Sequence, residues 1–312
     1  MQLRTVTRTQ GNNAALKDGT VKPRGFDFDF EEVPVLIQAF RRMVRELEFD
    51  VCEMAFTTYL CAKEHGKRFT ALPIFLVRGF HHGAIVRNTE AGVGEPKDLE
   101  GRSVGVNRGY TVTTGVWARG ILADEYGVDL DRVTWVLSGD EHVAEYRPPP
   151  NVVSVEPGKG LAEMVATGEL PAAIGVDVDD PAVTPLIPDA TQAGFEALRR
   201  SGHYPINHLV VVKDELLEAN PNLAPSVFDA FAEAKRLYVE RLRADAIDEP
   251  TAADRMYRRV LEITGADPLP YGVEPNRATI EELIDHAVSQ RILDRRPAVN
   301  SLFAEGTLEL SA

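Results

Sequence analysis

Apolar residues recur along this chain at two spacings. Over residues 31–48 they fall at Val35, Leu36, Ala39, Phe40, Met43, Val44 and Leu47, three and four apart, which predicts an amphipathic helix. Residues 2–9 instead alternate, with Leu3, Thr5 and Thr7 opposite Val6, and read as a short strand stopped by the turn-forming Gly11-Asn12-Asn13. Residues 49–54 (FDVCEM) read as a short buried strand. The helix after it is expected to open at Thr57 or Thr58, whose hydroxyls can cap free amides. Residues 72–77 form a further strand, and 83–87 carry the path into a new region.

The middle of the chain is a βαβ unit: a turn at 98–101, a strand at 103–106, a helix at 113–125 and a strand at 133–137. A helix at 161–167, ended by Gly168, leads into a strand at 172–175. This alternation implies a mostly parallel sheet with helices on both faces. A strand at 208–212 follows. The remainder is mainly helical, with segments at 225–244, 251–264 and 279–290, while Arg147-Pro148-Pro149-Pro150 reads as a rigid local loop. The order gives an α/β fold of two lobes, one discontinuous. Residues 1–86 with 208–312 form the first and 87–207 the second, joined by two strand-like crossings near Ile85-Val86 and Leu209-Val210. Ligands in such a layout are expected between lobes, at carboxyl ends of strands and at helix N-termini.

Composition narrows the function classes. The chain has 312 residues, 44% of them hydrophobic, an ordinary fraction for a folded protein that disfavours disorder. No apolar run approaches the roughly 18 residues that span a bilayer, and no membrane partner is expected. Lys and Arg number 34 against 48 Asp and Glu, a net charge of −14 that argues against nucleic acid as a partner. Residues 1–25 are the exception, with Arg4, Arg8, Lys17, Lys22 and Arg24 against Asp18. Cys52 and Cys61 support neither a disulfide framework nor a zinc site, and read as two buried thiols. The first 19 residues have no apolar core after their positive charges, so a cytoplasmic location is expected. The sequence leaves a homo-oligomer open.

Six segments carry a resemblance. FDVCEMAFTTY at 49–59, FHHGAI at 80–85, YTVTTGVWARG at 110–120, DEYGV at 124–128, YPINH at 204–208 and PYGVEPNR at 270–277 resemble, in order, blocks of the 4,5-dihydroxyphthalate decarboxylase family. The resemblance implies a type II periplasmic-binding-protein-like fold with two crossover strands, related to the solute-binding proteins of ABC transporters. It also implies a carboxy-lyase of aromatic compound catabolism, working without cofactor, whose partner is a small aromatic acid; no metal ligands are assigned, and the sequence leaves metal assistance open. The chain departs from the family at Thr9-Gln10-Gly11-Asn12-Asn13, where an acidic-and-arginine motif is usual. It departs again at His81, where an arginine is usual, and after Gly175, where Val176-Asp177-Val178-Asp179-Asp180 replaces a common arginine. These lost cations leave the aromatic substrate open. A non-catalytic solute-binding role is the rival.

A carboxylate on a phenol ring can leave without a cofactor if the carbon bearing it accepts a proton. In 4,5-dihydroxyphthalate each carboxyl lies para to a hydroxyl, so a base at the hydroxyl, an acid at the ring carbon and a grip for the remaining carboxylate suffice. Histidine suits both proton roles. His82 stands where the family keeps its histidine, and is the expected acid/base with Glu53 as its partner. Neighbours in an extended segment point to opposite sides, so only one of His81 and His82 is expected to face the ligand. Arg78 is the expected carboxylate anchor. Thr57, Thr58, Tyr110, Thr111 and Thr113 offer hydroxyls and helix-start amides. Asn207 and His208 lie at the second crossing, and Asp177 could accept a hydroxyl or an amine.

Overall fold

The computed structural model describes all residues from 1 to 312. The chain divides into two compact units: Met1–Arg78, Gly202–Glu281 and Pro297–Ala312 in the first, Gly79–Ser201 and Glu282–Arg296 in the second. The sequence-based division differs by three short pieces. Residues 79–86 count with the second unit because the strand that begins at Ile85 pairs there. Residues 202–207 count with the first, and 282–296 with the second, where Gln290 bonds Arg119 and the Val116 carbonyl.

The first unit holds strands β1 (Gln2–Val6), β2 (Asp27–Phe30), β3 (Val51–Ala55), β4 (Phe69–Arg78) and β11 (Ile206–Lys213), in the order β2-β1-β3-β11-β4. β1 runs parallel to β2 and β3, whereas β11 is antiparallel to β3 and β4. Around this sheet lie α1 (Ala14–Lys17), α2 (Leu36–Glu46), α3 (Phe56–Glu64), α7 (Asp214–Ala219), α8 (Leu223–Arg243) and α9 (Ala252–Thr264). The stripe foreseen in α2 is real: Leu36, Ala39, Phe40, Met43 and Val44 are buried. Every residue of β3 is buried, as a central strand covered on both faces requires. α9 opens with a reciprocal capping box, Thr251 with Asp254, and ends at Gly265 in the left-handed conformation.

The second unit holds β5 (Ile85–Asn88), β6 (Ser103–Val106), β7 (Thr134–Leu137), β8 (Val152–Ser154), β9 (Ala172–Ile174) and β10 (Val183–Pro185), in the order β10-β5-β9-β6-β7-β8. Strands β9, β6, β7 and β8 are parallel, and β5 is antiparallel to both neighbours. Its helices are α4 (Thr113–Asp124), α5 (Leu161–Ala166) and α6 (Ala190–Ser201), while α10 (Arg277–Ser289) passes from the first unit into the second. Trp117 and Trp135 are buried, as are the free thiols Cys52 and Cys61. No helix is long and apolar enough to cross a membrane.

One local expectation is corrected. α3 starts at Phe56, directly after β3, and its cap residue is Ala55 with no side-chain bond. Thr57 and Thr58 therefore sit inside the first turn, fully buried, and not at the cap position.

Candidate functional site

Glu53 is the middle residue of buried β3, and its side chain is wholly shielded from solvent. In the antiparallel pairing of β3 with β11, Glu53 stands opposite Val210 and His208 opposite Ala55. Side chains two apart on a strand share a face, so Glu53 and His208 are diagonal neighbours on one face of the sheet. Their contact is direct: Glu53 Oε1 lies 2.7 Å from His208 Nδ1, and Oε2 accepts the Arg8 backbone N–H at 2.8 Å. With the carboxylate as acceptor, the Nδ1 proton of His208 points at Glu53 and Nε2 carries the other ring lone pair. The His208 side chain is 19% exposed, with the Phe40 ring edge-on at 5.2 Å. A partly exposed imidazole is thus held by a buried carboxylate.

Arg78 ends β4 and is buried. Its Nη1 donates to the Tyr204 carbonyl at 2.9 Å and its Nη2 to the Pro270 carbonyl at 3.1 Å and to Asn276 Oδ1. No carboxylate pairs with it, its Nε has no hydrogen-bond partner, and burial brings its pKa down to about 10, still charged at neutral pH. The residue expected to hold a substrate carboxylate is therefore committed largely to tying strand β4 to the 270–276 segment. It also lines a cavity of about 1020 Å³ within the first unit, together with Arg8, Gln10, Asn12, Tyr238 and Tyr257. Burial pushes Tyr204, Tyr238 and Tyr257 up, so these phenols stay protonated.

In the second unit, His81 and His82 are both buried. The His81 ring stacks on Trp117 with centroids 6.4 Å apart and planes within 3°. His82 Nε2 lies 3.0 Å from Glu125 Oε1, and Glu125 Oε2 accepts from Arg200 at 3.0 Å. Burial alone would raise the Glu125 carboxyl; the His82 hydrogen bond and the charges of His82 and Arg200 outweigh it and hold the pKa below the usual carboxylate value. The expected partnership of Glu53 with His82 is thus replaced on both sides. Glu53 engages His208, brought to it by strand register, and His82 engages Glu125 at the end of α4.

The donors expected to grip a ligand ahead of α4 are already engaged. The backbone N–H groups of Tyr110 and Thr111 and the Thr111 hydroxyl all donate to the Glu141 carboxylate, the last at 2.6 Å. Arg119, fully buried, donates to the Tyr110 carbonyl at 2.6 Å and lies 3.8 Å over the Tyr110 ring. Thr113 is the buried first residue of α4, and the cap position before it is Val112. Asp177 is exposed in the loop after β9, and Asn207 is half-buried near the start of β11. No group of three or more His, Cys, Asp or Glu side chains is arranged to hold a metal ion. Sequence reasoning missed Arg8, Glu125, Glu141 and Asn276. The second and last stand in the DEYGV and PYGVEPNR segments, which were noticed as blocks and not residue by residue.

Comparison with known proteins adds kinship. No protein-family model matches the chain. It is 28% identical to a 4,5-dihydroxyphthalate decarboxylase of Comamonas testosteroni over 316 positions, 94% of this chain and 93% of that protein. A 4,5-dihydroxyphthalate decarboxylase of Pseudomonas putida is 32% identical over 173 residues, covering 51% of this chain and 64% of that protein. In fold the chain matches the Candida albicans CA3427 gene product, described as exhibiting the generic periplasmic binding protein structural fold. The TM-score is 0.57 at 13% identity, over 99% of this chain and 98% of that one. The chain is a relative of proteins named 4,5-dihydroxyphthalate decarboxylase and has a periplasmic-binding-protein-like fold.

Proposed function

We propose, from this kinship along almost the whole chain, that the protein is a carboxy-lyase that removes carbon dioxide from a hydroxylated aromatic carboxylic acid, with 4,5-dihydroxyphthalate as the reference substrate. The observation that carries the chemical step is the Glu53–His208 pair. In the proposed reaction His208 Nε2 takes the phenolic proton, and Glu53 stabilises the imidazolium that results. Electron density moves to the para carbon, which accepts a solvent-derived proton and becomes tetrahedral. The bond from that carbon to the carboxylate then breaks, its electron pair returns to the ring, carbon dioxide leaves, and aromaticity is restored. After carbon dioxide has left, the His208 imidazolium returns the phenolic proton to the ring oxygen. The balance is one proton and one aryl carboxylate in, one arene and one carbon dioxide out. The ring itself stores the electron pair, so the step as written needs no cofactor.

The Thr58 hydroxyl, buried in the first turn of α3 and without a hydrogen-bond partner, is proposed to receive a ligand carboxylate. A solute-binding role is the second reading, favoured by the fold likeness. One assay separates them: purified protein incubated with mono- and dicarboxylic hydroxylated aromatic acids, followed by carbon dioxide release and product chromatography. Turnover supports the enzyme, and micromolar binding without turnover supports the receptor.

A further inference from the structure

The 1020 Å³ cavity of the first unit has neither Glu53 nor His208 in its wall. Its volume is at the upper end of the range that encloses a drug-sized molecule, about 300–1000 Å³. Val77, Leu237, Ile247 and the rings of Tyr238 and Tyr257 supply apolar surface. The charges around it are unequal in availability. Each acid in the wall is satisfied within the protein. Asp254 accepts from Tyr238 and Thr251, Glu240 pairs with Arg236 at 2.5 Å, and Asp18 accepts the Thr20 N–H.

The cations differ. The Arg8 side chain is exposed and makes no ion pair, and Arg78 is buried against neutral acceptors alone. Three lining side chains each keep a buried polar atom without a partner: Arg78 Nε, Gln10 Nε2 and Asn12 Oδ1. Arg78 and Asn12 are themselves more than nine-tenths buried. Two of those three atoms are donors, so the unmet demand is chiefly for an acceptor, on the side where positive charge is uncompensated.

We propose that this cavity is a second ligand site, distinct from the proton pair, and that it takes an organic monoanion with an apolar aromatic body, its carboxylate directed to Arg8 and Arg78. The probe is 4-biphenylcarboxylate, which has no hydroxyl and so cannot follow the proposed decarboxylation; its binding is read whatever becomes of that reaction. Isothermal titration of the full chain is expected to show saturable binding, with the amine 4-phenylbenzylamine at least about tenfold weaker. Arg8→Glu, on an exposed side chain, is expected to weaken the acid about tenfold or more. Ala253→Trp, an exposed position of α9 on the cavity wall, is expected to do the same by occupying space, with circular dichroism confirming the fold of each variant. No binding at about 1 mM, equal affinity for acid and amine, or affinities unchanged in both variants would each overturn the assignment.

Discussion

Glu53 Oε1 and His208 Nδ1 are 2.7 Å apart, although the residues are separated by 155 positions in the chain. With the carboxylate accepting from Nδ1, Nε2 is the nitrogen left for the proposed proton transfer. Glu53→Gln keeps the volume and removes that constraint, because an amide can donate to Nδ1 and stabilise the opposite tautomer. The expected outcome is a fall in kcat of about 10²–10⁴-fold, read by carbon dioxide release, with the fold retained.

His82 makes a similar-looking contact with Glu125, but both rings of the His81-His82 pair are buried. We expect His82→Ala to leave the Glu125 carboxylate short of a partner and to cost on the order of 1–3 kcal/mol of stability in urea unfolding. Turnover by the folded variant should fall less than about tenfold. A loss as deep as that of a His208 variant would move the proton role to His82.

Arg78 satisfies three acceptors at once, from Tyr204, Pro270 and Asn276. Arg78→Met removes a donor from each of the three, although the Pro270 carbonyl keeps the Asn276 amide, and a destabilisation on the order of 1–3 kcal/mol is expected by urea unfolding. Arg78→Lys should recover only part of it, since an ammonium cannot reproduce the planar spread of donors.

At one edge of the first sheet, Arg4 and Arg42 both bond Glu31 and Glu48. Hydrogen bonding from Arg42, with Arg4 adding to it, brings the Glu48 pKa from 4.5 down to about 2, and Glu31 is lowered in the same way by Arg4 and Arg42. A carboxylate whose pKa is depressed on folding contributes stability above its unfolded value and loses it as pH falls towards its folded value. The urea midpoint should therefore drop between about pH 4.5 and 2, and Glu48→Gln should flatten that slope; partial exposure of the pair keeps the effect modest.

Much of the fold could be read from periodicity. The stripe at 31–48 became α2, the βαβ unit at 98–137 became β6, α4 and β7, and the segment at 251–264 became α9. Short edge strands escaped: the DFDF of β2 alternates between exposed and half-buried positions, and β10 has three residues. A strand of that length carries too few side chains for its pattern to stand out from a loop. The site was harder. Glu53 and His208 were both visible as candidates, but their pairing comes from the register of β11 against β3, which no local pattern encodes. Glu141 lies in an irregular loop and reaches Tyr110 and Thr111 across about 30 residues, again by tertiary placement alone.

The most direct test follows the proton. The account predicts that the wild-type chain, given a hydroxylated aromatic acid in deuterium oxide, releases carbon dioxide and leaves one deuterium on the carbon that bore the carboxylate. It also predicts that His208→Ala, folded by circular dichroism, loses at least about 10²-fold of that turnover. Absence of carbon dioxide from every acid in the panel, or undiminished turnover by His208→Ala, would contradict it.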